Sequence, residues 1–253
     1  MEQIINLEKK NILITGASSG IGAETARLCS KLGARMILVA RREQKLKEVR
    51  DQLSGQDHLF YSYDLSDLDG IEELVKKIVS DAGPLDGFVH SAGVSENRPL
   101  KMYKPRSIKE VMDINFASFV EITRCISKKN AHETGLSIVG VSSVASIMGG
   151  KGIIAYSASK AAMNAAVRCI AKELGTEGIR ANTVCPAMID TEIHQKTLSI
   201  SGDSPEKAQQ LIRQYLGVGK PSDVANMIAF LLSDASKLIT GSNIAIDGGL
   251  LSS

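Results

Sequence analysis

Tyr156-Ser157-Ala158-Ser159-Lys160 sets a phenol and an ammonium four residues apart. On an α-helix that spacing puts both side chains on one face, where they can reach one pocket. A phenol titrating near pH 10 is protonated at neutral pH, and a neighbouring cation favours its ionised form. The pair has the make-up of a general acid or base for a hydroxyl or carbonyl oxygen, although two such residues in isolation also fit a solvated helix face. A second element is Thr15-Gly16-Ala17-Ser18-Ser19-Gly20-Ile21-Gly22. Glycines there permit a tight turn and let a phosphate approach the backbone. A helix starting at that point offers free N–H groups and a positive dipole end. The spacing is G-x-x-x-G-x-G rather than G-x-G-x-x-G. With a strand before it and a helix after it, the segment points to dinucleotide binding in preference to a plain glycine-rich turn.

The end of the second expected strand reads Val39-Ala40-Arg41-Arg42, with no carboxylate before Glu43. An acid there would bind the ribose hydroxyls of NAD, whereas arginine neutralises the 2′-phosphate of NADP. NADP(H) is therefore the expected cofactor, bound by Arg41 and Arg42; the competing reading, that they merely open a charged helix, weighs more on Arg42. Asp64-Leu65 follows the third strand. Its carboxylate can accept from an adenine amino group, or it can serve as a helix cap or turn residue.

These groups need a scaffold, and the chain alternates short β-rich runs with longer amphipathic ones. Strands are expected at Asn11–Thr15, Arg35–Val39, Leu59–Tyr63, Gly87–His90, Ser137–Ser142, Ala181–Cys185 and Asn243–Asp247. Helices are expected at Ile21–Leu32, Glu43–Leu53, Leu68–Ala82, about Ile108–Lys128, and around Tyr156. The alternation predicts an α/β fold: a doubly wound, parallel, seven-stranded sheet of Rossmann type, with ligands beyond the carboxyl ends of the strands. No Pro/Ser-rich linker divides residues 1–253, so one domain is expected. A substrate flap at about 191–218, containing the loop-forming run Ser199–Pro205, interrupts the rhythm.

Composition excludes several classes. Hydrophobic residues make up 43% and charged residues 23%, as in ordinary globular proteins, and a net charge of +2 argues for neither nucleic acid nor an anionic membrane as partner. No apolar run reaches bilayer-spanning length, and the first residues lack the pattern of a signal peptide, so a cytoplasmic location is expected. Cys29, Cys125, Cys169 and Cys185 are scattered, as are the four histidines. Neither set has metal-ligand spacing, and no metal is expected.

Across nearly its whole length the chain resembles the short-chain dehydrogenase/reductase family. The resemblance is carried by Thr15-Gly16-x-x-x-Gly20-Ile21-Gly22, then Ser143 with Tyr156-x-x-x-Lys160, then Asn182, Pro186 and Thr191, in family order. It implies that Tyr156 is the general acid, that Lys160 lowers the tyrosine pKa and holds the nicotinamide ribose, and that Ser143 hydrogen-bonds the substrate oxygen. Ser142 competes for that last role, but the thirteen-residue spacing to Tyr156 matches Ser143. Asn115, otherwise read as an exposed helix residue, matches an asparagine that anchors a water in the proton relay. Gly16, Ser18, Ser19, Gly20, Ile21 and Gly22 would cradle the cofactor phosphates. Ser91, Ala92 and Gly93 would border the cofactor, while Pro186, Ile189 and Thr191 would bind the nicotinamide carboxamide. The family's Asn-Asn-Ala-Gly is His90-Ser91-Ala92-Gly93 here, with His90 read as a structural substitute, and its Pro-Gly is Pro186-Ala187.

The likeness is greatest to the 3-oxoacyl-[acyl-carrier-protein] reductase branch, which implies a small-molecule or acyl-thioester carbonyl substrate and a homotetramer. A sugar or secondary-alcohol dehydrogenase, and a non-catalytic dinucleotide sensor, are the alternatives. Where that branch carries basic residues for its carrier protein, this chain has Thr134 and Glu177. Met102, Tyr103, Met148, Met188, Ile193, Leu198, Leu211 and Tyr215 would give an apolar, adaptable substrate side, or would pack helices.

Overall fold

The computed structural model describes residues 4–192 and 213–252. Among these residues the strands β1 (Asn11–Thr15), β2 (Arg35–Ala40), β3 (Leu59–Ser62), β4 (Leu85–His90), β5 (His132–Val141), β6 (Arg180–Pro186) and β7 (Asn243–Ile246) form one sheet. Its order is β3-β2-β1-β4-β5-β6-β7, and every pairing is parallel. Strands covered on both faces should be near-continuously apolar, and Ile12-Leu13-Ile14 and Met36-Ile37-Leu38-Val39 are almost fully buried.

Side chains alternate across the pleat. Ile12, Ile14, Met36 and Leu38 pack toward α1 (Gly20–Lys31) and a carboxyl-terminal helix, whereas Leu13, Ile37, Val39 and Phe88 pack toward the opposite layer. That layer comprises α3 (Ile71–Ala82), α5 (Ser118–Ile126) and α7 (Ile154–Leu174). Helix α2 (Glu43–Arg50) joins β2 to β3, and α4 (Pro105–Met112) precedes α5. A four-residue α6 (Ala145–Met148) lies between β5 and α7. Strand order reverses at β1, whose neighbours are β2 and β4, so a crevice opens beyond its carboxyl end.

Three elements differ from the sequence expectation for local reasons. The helix expected from Ile108 starts at Pro105, a residue suited to a first helical position because its missing N–H would be unpaired there anyway. It is interrupted by a π-helical turn at Asp113–Ala117, and Asn115 within that turn is buried, not exposed. Strand β5 begins five residues earlier than expected, at His132 rather than Ser137, with a register irregularity against β4 between Leu85 and Gly87. Helix α8 (Pro221–Leu232) was not anticipated; it seats Val224, Ile228, Leu231 and Leu232 on the α1 side of the sheet. Ile193, Leu198, Leu211 and most of the expected flap lie outside the described residues. No helix among the described residues is long and apolar enough to cross a membrane.

Phe119 of α5 stacks on Phe88 of β4 at 6.1 Å and tilts against His90 at 5.6 Å. Phe119→Ala should lower unfolding free energy by about 3–5 kcal/mol in a urea titration.

Candidate active site

Two tight turns build the crevice. The positive φ of Gly16 (69°) bends β1 into the loop before α1, and a Cβ on Gly16 would stand 2.6 Å from the Ala92 backbone nitrogen. A Cβ on Gly22 would meet the Gly16 carbonyl oxygen at 2.5 Å. Both positions exclude any larger residue, and the loop is thereby pressed onto Ser91-Ala92, where Ser91 N–H donates to the Thr15 carbonyl at 3.2 Å. Ser19, the N-cap of α1, makes no side-chain cap hydrogen bond, and the first turn of α1 contains no acidic residue. Free N–H groups at the start of a twelve-residue helix, facing a cradle that a Cβ would fill, suit a dinucleotide phosphate.

Arg42 folds back over this turn. Its Nη2 donates to Ser18 Oγ (3.0 Å) and Ser19 Oγ (2.8 Å), and its Nη1 pairs with Glu192 at 3.2 Å. Arg41 approaches Asp64 Oδ2 at 3.9 Å. Asp64 Oδ1 accepts from the Ser66 backbone and hydroxyl, and these hydrogen bonds hold its carboxyl below the usual range. That is the turn role of the two open for Asp64; Leu65 beside it is buried. Thr191 Cγ2 lies 3.5 Å from where a Cβ would stand on Gly20. Thr191 is thus brought to the turn, while Ile189 is buried with the residues packed on the α1 side and bridges Gly219.

The chemistry-bearing groups meet beyond β5 and α7. Ser142 Oγ donates to the Lys160 carbonyl (3.2 Å), which commits it to helix anchoring. The Ser143 hydroxyl instead stands beside the Tyr156 phenol, near enough to draw its pKa down. Ser143 Oγ accepts the Ala145 N–H at 3.1 Å, and its own donor contact is a long one, 3.5 Å to the Pro186 carbonyl. Burial pushes the phenol above its ordinary value and the Ser143 hydrogen bond pulls it back. Burial is the larger of the two, so the phenol stands above its ordinary value. Lys160 Nζ is 5.8 Å from the ring centroid and donates to the Val141 carbonyl at 2.7 Å. Burial brings the Lys160 ammonium down to about 8. One of its three N–H donors is used by Val141, which leaves donors for ribose hydroxyls.

Asn115 Oδ1 accepts the Val94 N–H at 2.8 Å, while Nδ2 donates to the Val94 carbonyl (2.9 Å) and Ser159 Oγ (3.0 Å). It ties the loop after β4 to α7, and Gly93 sits between it and Lys160 Nζ. His90 is fully buried, with Nδ1 2.9 Å from Thr15 Oγ1 of the neighbouring strand. Its Nε2 has no hydrogen-bond partner among the described residues. Burial and the nearby Lys160 charge lower the imidazole to about 3, so the ring is neutral and acts as a brace.

Sequence reasoning missed two further contributors. Gln214 clamps Met188 through both backbone groups at 3.1 Å, and Asn164 lies in a buried polar chain behind Ser143. A buried amide in an apolar helix stripe was the available signal for Asn164; Gln214 had none. Elsewhere, Glu72, Glu121 and Cys125 approach within 4.8 Å of one another, but Arg124 and Lys128 already occupy the carboxylates.

Residues 16–251 match a family model described as Enoyl-(Acyl carrier protein) reductase. The chain is 36% identical to the 3-oxoacyl-[acyl-carrier-protein] reductase FabG of Thermotoga maritima, over 98% of this chain and 100% of that protein. It is 31% identical to an L-xylulose reductase of Caenorhabditis elegans over 95% of each. A solved short-chain dehydrogenase/reductase of Brucella melitensis, described as a glucose/ribitol dehydrogenase, superposes with TM-score 0.89 at 27% identity, covering 97% of this chain and 98% of that one.

The lowered His90 pKa has a consequence for stability. An unfolded histidine titrates near 6.5, so between pH 6.5 and about 3 the unfolded chain binds a proton that the folded one refuses. Its contribution is complete above about pH 6.5 and is lost as pH falls through that window, by at most about 1.4 kcal/mol per pH unit. Urea titrations at pH 7 and 5 should show a smaller acid loss for His90→Asn than for the wild type.

Proposed function

The chain belongs to the short-chain dehydrogenase/reductase family, and we propose that it is an NADP(H)-dependent reductase of 3-oxoacyl thioesters. The observation that carries the reading is the Ser143 hydroxyl beside the buried Tyr156 phenol, with the serine oxygen held by the Ala145 N–H at 3.1 Å and Lys160 Nζ 5.8 Å from the phenol ring. When bound, the nicotinamide supplies the hydride to the carbonyl carbon. Ser143 donates a hydrogen bond to the substrate oxygen and orients it. Tyr156, protonated at neutral pH because burial raises its pKa, gives that oxygen its proton. Lys160 offers its remaining N–H donors to the ribose. In the reverse direction the same groups take the proton from a secondary alcohol.

Arg42 over the phosphate turn and Arg41 beside Asp64 support NADP(H). The 3-oxoacyl thioester rests on the named relative, and the exposed Leu100 and Met102 on the segment after β4, with Ile147 and Met148 on α6 after β5, suit an acyl chain. Tyr103 is not among these contacts, since its hydroxyl donates to the Gly152 carbonyl at 2.9 Å. A second reading is a hydroxylated carbonyl, as in the xylulose reductase relative. Glu96 and Arg98, paired and partly buried in the loop after β4, provide a polar wall for it. Thr134 and Gly178, next to Glu177, adjoin each other at the amino end of β5. Neither Thr134 nor Glu177 offers a cation there to an acidic carrier protein, which favours a small thioester over one delivered by a carrier docked at that edge. Ile108, Val120 and Ile154, all exposed on α4, α5 and α7, support assembly as a homotetramer through these helices.

Two experiments test this reading. With NADPH, acetoacetyl thioesters should be turned over faster than keto-sugars or simple ketones, with Tyr156→Phe and Ser143→Ala losing at least about a hundredfold in kcat. Faster turnover of keto-sugars would transfer the assignment to the second reading, and activity surviving in Tyr156→Phe would end both. Separately, Arg41→Ala and Arg42→Ala should each narrow the NADPH-over-NADH preference by roughly tenfold to a hundredfold, the value of a lost charge-assisted hydrogen bond. An unchanged ratio in both variants would remove the NADP(H) assignment.

A further inference from the structure

We propose that Asn164 is a positioning residue for the reaction, holding the Ser143 backbone through a buried hydrogen-bonded chain. This rests on the site assigned above. Asn164 continues the stripe of Tyr156 and Lys160 by one more helical turn and is 6% exposed. A carboxamide buried there must find partners, and each of its ends has one. Nδ2 donates to Ser146 Oγ of α6 at 2.8 Å, and Oδ1 lies 2.9 Å from Thr183 Oγ1 of β6, whose one proton it shares with Asn243 Oδ1 at 2.7 Å. Ser146 Oγ in turn donates to the Ser143 carbonyl at 2.5 Å, and the Ser146 N–H reaches the same oxygen at 3.0 Å.

The direction of the chain is set by its last member. A carbonyl can only accept, so Ser146 must donate to it and accept from Asn164, which fixes the amide with its nitrogen toward Ser146. The outcome is felt at the Ser143 side chain. Once its carbonyl is pinned by Ser146, the Ala145 N–H is held 3.1 Å from Ser143 Oγ, which fixes that oxygen beside the phenol with only a long 3.5 Å donor contact to the Pro186 carbonyl competing for its proton. Asn164 touches neither substrate nor cofactor in this account. It sets where the Ser143 hydroxyl stands.

A double-mutant cycle tests this, with kcat and KM measured on NADPH and an acetoacetyl thioester. Asn164→Ala should lower kcat by about tenfold to a hundredfold, the cost of misplacing a catalytic group by about an ångström. NADPH affinity, read by fluorescence titration, should be unchanged. Ser146→Ala, a smaller change with no amide cavity, should reproduce the kcat loss even where Asn164→Ala folds poorly. In a Ser143→Ala background either substitution should cost less than about twofold further, because residues acting through one group are non-additive. Equal fold-losses with and without Ser143 would overturn the inference while leaving the site intact. Wild type that turns nothing over, or Tyr156→Phe that keeps full activity, would overturn the site and this inference with it.

Discussion

A lysine ammonium buried with no carboxylate partner among the described residues is the constraint around which the carboxyl end of this sheet is arranged. Lys160 is 4% exposed, donates to the Val141 carbonyl, and has its pKa brought down to about 8 by desolvation. A buried charge is tolerated only where surrounding dipoles replace water. The neighbours meet that demand by being polar and uncharged: the Asn115 amide beside Gly93, the Ser159 hydroxyl and a neutral His90. A protonated imidazole at His90 would face the same ammonium, which is why the lysine charge contributes to keeping that ring neutral. The π turn at Asp113–Ala117 belongs to the same arrangement. Widening the helix by one residue lets Asn115 turn inward and bind both backbone groups of Val94.

The parts legible in the sequence are those that depend on local pattern. β1, β2, α1, α2 and α3 appear where apolar alternation and helix periodicity place them, with shifts at their ends of at most three residues. The phosphate turn was readable because glycine spacing is itself a steric statement, and Gly16 and Gly22 are positions where no Cβ fits. Spacing alone separates Ser143 from Ser142 in the sequence; in the fold Ser142 is buried and donates to the Lys160 carbonyl at 3.2 Å, whereas Ser143 has only a 3.5 Å contact to the Pro186 carbonyl. What pattern could not show are consequences of tertiary burial. Asn115 sits in a helix of mixed polarity and looks exposed, yet it is fully buried. The phenol's raised pKa comes from packing that no Tyr-x-x-x-Lys spacing records. Asn164 and Gln214 are single amides whose partners lie on β6, α6 and the loop at Met188.

Replacement of the expected asparagine by His90 shows how a substitution at the end of a central strand can be absorbed. An asparagine offers a short carboxamide; histidine offers a flat ring with one donor and one acceptor. Here the ring bonds Thr15 across the β1–β4 pair and fills the space beside Phe88 and Phe119 with aromatic contact. The bond to β1 joins the strand carrying the phosphate turn to the strand preceding Ser91-Ala92-Gly93. The exchange therefore retains a polar link between the two halves of the crevice and adds apolar packing below it.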